Sequence, residues 1–243
     1  QEGTPTPSMG AKLRCLVGEA SVQADQAHDE RGPGTVEFNL APSGEVYFLE
    51  MNTRLQVEHP VTELISDVDL VEQQIKIARG DEITIKQEDL KINGHALELR
   101  VYAEDPMNNF LPSVGNLSTY KIPVGEGIRV DDGFEEGMDI PIYYDPMLSK
   151  LITYGKTREE AIQLMIKAID NYKIEGAMTT LPFGKFVCEH EAFTSGNFNT
   201  HFVKNYYSPE ALEETAKKEA RIASLIAITQ YLEDKKMLQV ITE

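Results

Sequence analysis

The chain has 243 residues, with 40 Asp and Glu against 23 Lys and Arg, a formal net charge of −17 and a pI near 4.7. That surplus of negative charge argues against non-specific binding to nucleic acid or an anionic membrane, while an anionic substrate needs only local positive charge. The length suffices for one large or two small domains with a real core, and the sequence shows neither a bilayer-spanning apolar run nor a secretory signal. Cys15 and Cys188 lack metal-ligand spacing. They read as structural thiols in a reducing compartment, cytoplasmic or mitochondrial matrix. The chain opens at Gln1 in Pro/Thr-rich sequence and reads as part of a longer polypeptide.

In chain order, residues 1–8 read as a loop and Ser8 to about Ala27 as a helix, with Leu13, Leu16, Val17, Ala20 and Ala24 on one stripe. Gly32-Pro33-Gly34 ends it. Strands 34–40 and 45–50 follow, joined by a turn at Ala41-Pro42-Ser43-Gly44. Asp69–Arg79 has helical spacing and stops at Gly80; the polar stretch 81–93 reads as a domain boundary. Beyond it come strands at His95–Tyr102, Leu117–Ile122, Gly127–Asp131 and Met147–Tyr154, then helices at Lys156–Tyr172 and from Thr180 to before Gly196. Ser208-Pro209-Glu210 starts a last helix to Ile241, with Leu212, Ala216, Ile222, Leu225, Ile228 and Leu232 at helical spacing. This helix reads as an intramolecular packing element or as a docking surface.

The run Glu50-Met51-Asn52-Thr53-Arg54-Leu55-Gln56-Val57-Glu58-His59-Pro60 carries the chemistry. Its even positions are all polar, so a strand would place them on one face. If Ser43-Gly44 is a two-residue turn, Glu37 pairs directly with Glu50, with Cβ atoms about 4.5–5.5 Å apart. Two carboxylates that close need a cation between them, and a hard divalent ion sharing Glu37, Glu50 and Asn52 is the natural occupant. Val36, Phe38, Tyr47 and Leu49 read as a buried surround; exposed hairpin glutamates in another register are the alternative. A straight strand would carry Glu58 ~26 Å from Glu50, so the chain must bend after about Arg54 if these residues serve one reaction. Pro60 closes the run.

Arg54 can fork onto a planar oxyanion, or simply bridge to Glu50 or Glu58. Glu58 can take a proton from a bound substrate, or be a strand-end glutamate. Arg100, beside Glu98 on an alternating strand, matters if its face turns toward the first hairpin. Tyr143-Tyr144-Asp145-Pro146-Met147 is a turn with a candidate buried acid, or a plain aromatic-capped turn. His28, His95, His190 and His201 lack metal spacing and read as structural or surface residues; His59 is given no role.

On Gly34–Phe38, Phe48–Glu63, Gly94–Pro106, Phe110–Ser113, Tyr143–Ile152 and Glu175–Thr180, the sequence resembles biotin carboxylase over roughly residues 1–203. The resemblance implies an α+β chain: the C-terminal lobe of an ATP-grasp domain (1–85), the biotin carboxylase C-terminal domain (94–203) and a helical extension (204–243). It implies that Glu37, Glu50 and Asn52 hold two Mg2+ or Mn2+ ions on ATP, with Glu37, Asn39 and Glu50 along the nucleotide. Asn39 replaces the aliphatic residue usual near the adenine. Arg54, Gln56 and the Val57 backbone would bind bicarbonate, and Glu58 would deprotonate it. Arg100 would stabilise the biotin enolate, with Asp145 near the biotin pocket.

The implied reaction makes carboxyphosphate from ATP and bicarbonate, then carboxylates biotin carried on a separate domain. The implied partners are a biotin carboxyl carrier domain, a carboxyltransferase subunit and further copies of the chain. The resembling family's N-terminal half, with its glycine-rich lid, and any biotinylated Ala-Met-Lys-Met motif lie outside this sequence. Two other readings stay open: an ATP-grasp ligase with another acceptor, and a non-catalytic assembly module docking through 208–241.

Overall fold

The computed structural model describes residues 2–7, 9–28 and 32–241. Its organising element is a four-stranded antiparallel sheet built from β1 (Glu2–Thr4), β4 (His95–Tyr102), β9 (Met147–Gly155) and β8 (Ile128–Asp132), in the order β1-β4-β9-β8. The alternation in 95–102 sorts its side chains to two faces. Leu97, Leu99 and Val101 pack with Leu151 of β9 against α4 (Arg158–Asn171) and α5 (Leu181–Glu189), through Ala161, Ile162, Met165, Ala168, Leu181, Val187 and Cys188. Ala96 and Ile152 point the other way, onto Val61 and Ile65 of α2 (His59–Ser66). Covered on both faces, the sheet buries most of its two central strands, β4 and β9, and each such aliphatic side chain contributes roughly 1.5–3 kcal/mol.

Helix ends follow local rules. Asp69 caps α3 (Leu70–Arg79) by accepting from the Glu72 amide at 2.7 Å, and Gly80 ends it at φ 88°. Thr157 caps α4 by accepting from Glu160 N at 3.2 Å, while Glu160 reaches back to Lys156 N at 2.7 Å. Between these parts lie short strands β5 (Glu104–Asp105), β6 (Leu111–Pro112), β7 (Thr119–Lys121) and β10 (Lys173–Glu175), pairing as β5–β6 and β7–β10. Short helices α6 (Glu191–Thr194) and α7 (Phe202–Tyr206) precede α8 (Pro209–Ile241). Leu212 buries the start of α8, beyond which Ile222, Leu225, Ile228 and Leu232 are exposed. The side chain of Ala216 lies outside the described residues.

Several expectations are corrected. Residues 2–4 form β1 on the edge of β4, satisfying that strand's backbone groups, where a loop was expected. Helix α1 spans Ala11–His28, starting three residues after Ser8, which lies outside the described residues. Leu16 on its expected inner stripe is exposed, as is Cys15, so only Cys188 is a buried structural thiol. Tyr47 and Leu49 are 54% and 53% exposed. They lie on β3 (Val46–Asn52), which among the described residues pairs with β2 (Thr35–Leu40) alone, and α1 packs against β2.

Candidate active site

The ribbon brings Glu37 and Glu50 directly opposite each other. The route differs from the two-residue turn expected. The turn holds three residues: the Ala41 amide donates to Glu45 O at 2.9 Å, the Gly44 amide donates to Ala41 O at 2.9 Å, and Gly44 takes φ 86°. That shifts the register by one, pairing Phe38 with Phe48. A bulge at Leu49 shifts it back between Phe38 and Glu37. The two irregularities cancel where the carboxylates sit.

Asn52 lies between the two acids. Its Nδ2 donates to Glu37 Oε1 and to Glu50 Oε1, both at 3.0 Å. Arg54 Nη2 donates to Asn52 Oδ1 at 3.3 Å, and Gln56 Nε2 donates to Glu37 Oε1 at 2.7 Å. Glu37, Glu50, Asn52, Arg54 and Gln56 therefore form one hydrogen-bonded chain. Asn39 is exposed on the same ribbon, opposite Tyr47.

The strand reading of the whole run is corrected. β3 ends at Asn52, the chain bends at Thr53 and Arg54, and a loop leads into α2. Pro60 falls in the first turn of that helix, where its missing N–H costs nothing, so it opens a helix where a closing residue was expected. The bend was required by distance; the helix that follows was missed. Glu58 is the N-cap residue of α2 but makes no side-chain cap bond. Its Oε2 accepts from Arg100 Nη2 at 2.9 Å, so the face of β4 carrying Arg100 does turn toward the segment after the hairpin. Arg54, Gln56 and Glu58 line a cleft of about 420 Å3 with Thr35 and His59.

The loop between Gln56 and Glu58 is braced from beneath. His59 Nδ1 donates to the Gln56 carbonyl at 2.9 Å, and Lys150 Nζ donates to the Val57 carbonyl at 3.2 Å. Lys150 also pairs with Asp131 at 3.2 Å, and Asp131 takes a fork from Arg129 at 2.7 and 2.9 Å. The remaining arm of Arg129 donates to Glu63 of α2 at 2.7 Å. Burial pushes the Asp131 carboxyl up, but the bonds and charges of Arg129 and Lys150 outweigh it and hold it below the usual range. Lys150, Asp131, Arg129 and Glu63 were missed from sequence. For Arg129, Asp131 and Lys150 the signal was a polar residue among apolar ones on a strand; Glu63, on helix α2, carried no such mark.

Asp145, expected as a buried acid, is exposed beside Tyr143, which is 85% exposed. Its Oδ1 accepts from the Met147 amide at 2.9 Å, which closes a turn on the surface. Burial, and then the charge of Asp145, raise the Glu104 carboxyl above its ordinary value.

Two carboxylates and an amide suit a hard, oxygen-seeking cation. Turning the Asn52 amide over would present its oxygen to the carboxylates. Among the described residues no three His, Cys, Asp or Glu side chains form a metal-holding group. A larger cavity of about 460 Å3 near Met178, Phe186 and Leu212 contains none of these side chains and is lined mostly by carbon.

Residues 2–86 match the carbamoyl-phosphate synthase L chain ATP-binding domain, and residues 98–205 match the biotin carboxylase C-terminal domain. Fold and site thus define the C-terminal part of an ATP-grasp domain followed by its dedicated C-terminal partner. Biotin carboxylase 1 of Bacillus subtilis (strain 168) is 48% identical over 206 residues, 84% of this chain and 46% of that protein. The mitochondrial propionyl-CoA carboxylase alpha chain of Homo sapiens is 44% identical over 233 residues, 95% of this chain and 32% of that protein. The biotin carboxylase domain dimer of Hydrogenobacter thermophilus 2-oxoglutarate carboxylase, solved with MgADP, ADP and bicarbonate, superposes with a TM-score of 0.82 at 38% identity, covering 84% of this chain and 45% of that one. Residues 98–205 thus belong to the biotin carboxylase C-terminal domain family, and the chain is similar to part of the biotin carboxylases. It spans about a third to a half of the length of these curated relatives. Among the described residues, no helix is long and apolar enough to cross a membrane.

Proposed function

We propose that the complete protein carboxylates biotin on a carrier domain, using ATP and bicarbonate, as the biotin carboxylase component of an acyl-CoA carboxylase. One observation carries the proposal: a chain of contacts from Glu37 and Glu50 through Asn52 to Arg54 and Gln56, which line one cleft with Glu58, itself paired with Arg100.

In this reading Glu37, Glu50 and Asn52 hold Mg2+ or Mn2+, which when bound neutralises the nucleotide's phosphate charge. Asn39 lies along the nucleotide. Arg54, Gln56 and the Val57 backbone hold bicarbonate, and Glu58 takes its proton as an oxygen attacks the γ-phosphorus. ADP leaves and carboxyphosphate forms. Arg100, freed from Glu58 as that carboxylate gains a proton, is then available to the biotin enolate, with Asp145 near the ureido ring. The segments 1–85, 94–203 and 204–243 serve as ATP-grasp lobe, C-terminal domain and extension. The relative with bound MgADP and bicarbonate supports the choice of ligands. Other copies of the chain, a carrier domain and a carboxyltransferase are its partners, since relatives include a carboxylase alpha chain and a domain dimer.

In the complete protein, Arg54→Ala and Glu58→Gln should each abolish bicarbonate-dependent ATP cleavage, read by coupled ADP release. Turnover matching the unaltered protein would end the proposal.

A further inference from the structure

Lys150 stands in the middle of a row of charges that the sheet register imposes. β4 pairs with β9 so that Arg100 is opposite Lys150, and β8 pairs with β9 so that Asp131 is opposite the same lysine. All three therefore share one face of the sheet. That face also carries Ala96 and Ile152, which meet α2. Two cations directly opposite repel unless each finds its own acceptor. Arg100 finds Glu58 at 2.9 Å, while Lys150 finds Asp131 and the Val57 carbonyl, each at 3.2 Å.

The acceptors on the loop are consecutive residues. One cation grips the backbone of Val57 and its neighbour grips the side chain of Glu58. The Lys150 side chain is only 13% exposed, so its ammonium is held in place. Asp131 is fixed in turn by the Arg129 fork, and Arg129 reaches Glu63 one helical turn beyond the loop. The Val57 carbonyl shares its peptide unit with the Glu58 amide. Fixing that carbonyl fixes the plane from which the Glu58 side chain departs.

We propose that Lys150 is a positioning residue for the acid–base step, setting the Val57–Glu58 peptide so that the Glu58 carboxylate meets both Arg100 and the bound anion. This deepens the reading given under Proposed function and rests on it for the identity of the anion. A lost charge-assisted bond changes binding by roughly tenfold to a hundredfold.

The test uses the complete protein with Lys150→Met and Lys150→Arg. Hydrogen exchange by mass spectrometry over residues 53–60 reads the clamp without any need for turnover. Bicarbonate-dependent ATP cleavage reads its consequence. Lys150→Met should speed exchange in that segment and raise KM for bicarbonate by about tenfold or more, with KM for ATP unchanged. Lys150→Arg, which keeps a cationic donor, should recover part of both effects. Unchanged exchange over 53–60 in Lys150→Met would overturn the clamp, and an unchanged KM for bicarbonate would overturn its positioning role. So would equal losses in both variants spread over bicarbonate, ATP and melting temperature, because that pattern marks a general packing defect. If the unaltered protein cleaves no ATP in response to bicarbonate, the functional reading fails, and the exchange result still judges the clamp.

Discussion

Glu37 and Glu50 share a single hydrogen-bond donor, the Asn52 amide, at 3.0 Å to each carboxylate. One neutral NH2 group thus separates two like charges on adjacent strands. Replacing it by a third carboxylate should destabilise the metal-free protein and strengthen its response to a divalent ion. For Asn52→Asp we expect a loss of roughly 1 kcal/mol, or a melting temperature ~2–4 °C lower in EDTA. Millimolar Mg2+ should raise that temperature more than in the unaltered protein. Equal Mg2+ shifts in both proteins would count against a cation site at this pair.

His95 makes the stability depend on pH. It is buried at the start of β4, and burial, followed by the charge of Arg158, lowers its pKa from 6.5 to about 4. The unfolded chain takes up this proton near pH 6.5 and the folded chain only near 4. Stability from neutral His95 is therefore complete above about pH 6.5, falls with pH through the window below it, and levels off below about 4. The loss amounts to about 3 kcal/mol at most. Urea unfolding at several pH values in that window, compared with His95→Gln, isolates it: the variant should show the flatter dependence. Parallel curves would refute the assignment.

Arg129 ties α2 to the sheet by gripping Glu63 and Asp131 together. Arg129→Met leaves the Glu63 carboxylate, 9% exposed, without its cation. Since the guanidinium itself is about a third exposed, the cost should be moderate, roughly 1–3 kcal/mol by denaturant titration. A change within experimental scatter would show that solvent already screens the network.

Gly184 lets α5 sit close on β4. A Cβ there would fall 2.5 Å from Leu99 Cδ2, and Leu99 is itself buried. Gly184→Ala should cost about 1–3 kcal/mol by overpacking. Leu99→Val, by making room, should recover part of that cost in the double variant. Strict additivity of the two changes would remove the close contact as the cause.

Much of this was legible in the sequence because it is local. The alternation in 95–102, the stop of α3 at Gly80 and the helical stripe of 156–172 each act within a few residues. The pairing of Glu37 with Glu50 was also reached, but through the wrong turn length. Gly44 reports a turn without stating how many residues it contains, and nothing marks Leu49 as the bulge that restores the register. The alternation of Arg54, Gln56 and Glu58 imitated a strand where the chain is a loop entering a helix. β1 was hidden because three residues, Glu-Gly-Thr, take their structure from a partner more than ninety positions away. Tyr47 and Leu49 read as core because an apolar strand residue does not reveal whether anything covers it. The acidity near Asp145 was visible, whereas its exposure depends on how its turn leaves the sheet.

The two ends of the candidate site rest on unequal supports. Glu58 and Arg100 are anchored to a sheet packed on both sides, whereas Glu37 and Glu50 ride on a separate two-stranded ribbon whose residues are half-buried or exposed. Residues 53–57 and the bond from Gln56 to Glu37 connect them. Sparse packing lowers the free energy of local opening, so the ribbon is the compliant end. In the reaction proposed above, alignment then becomes a question of how far the ribbon carrying Glu37 and Glu50 swings about the anchored Glu58.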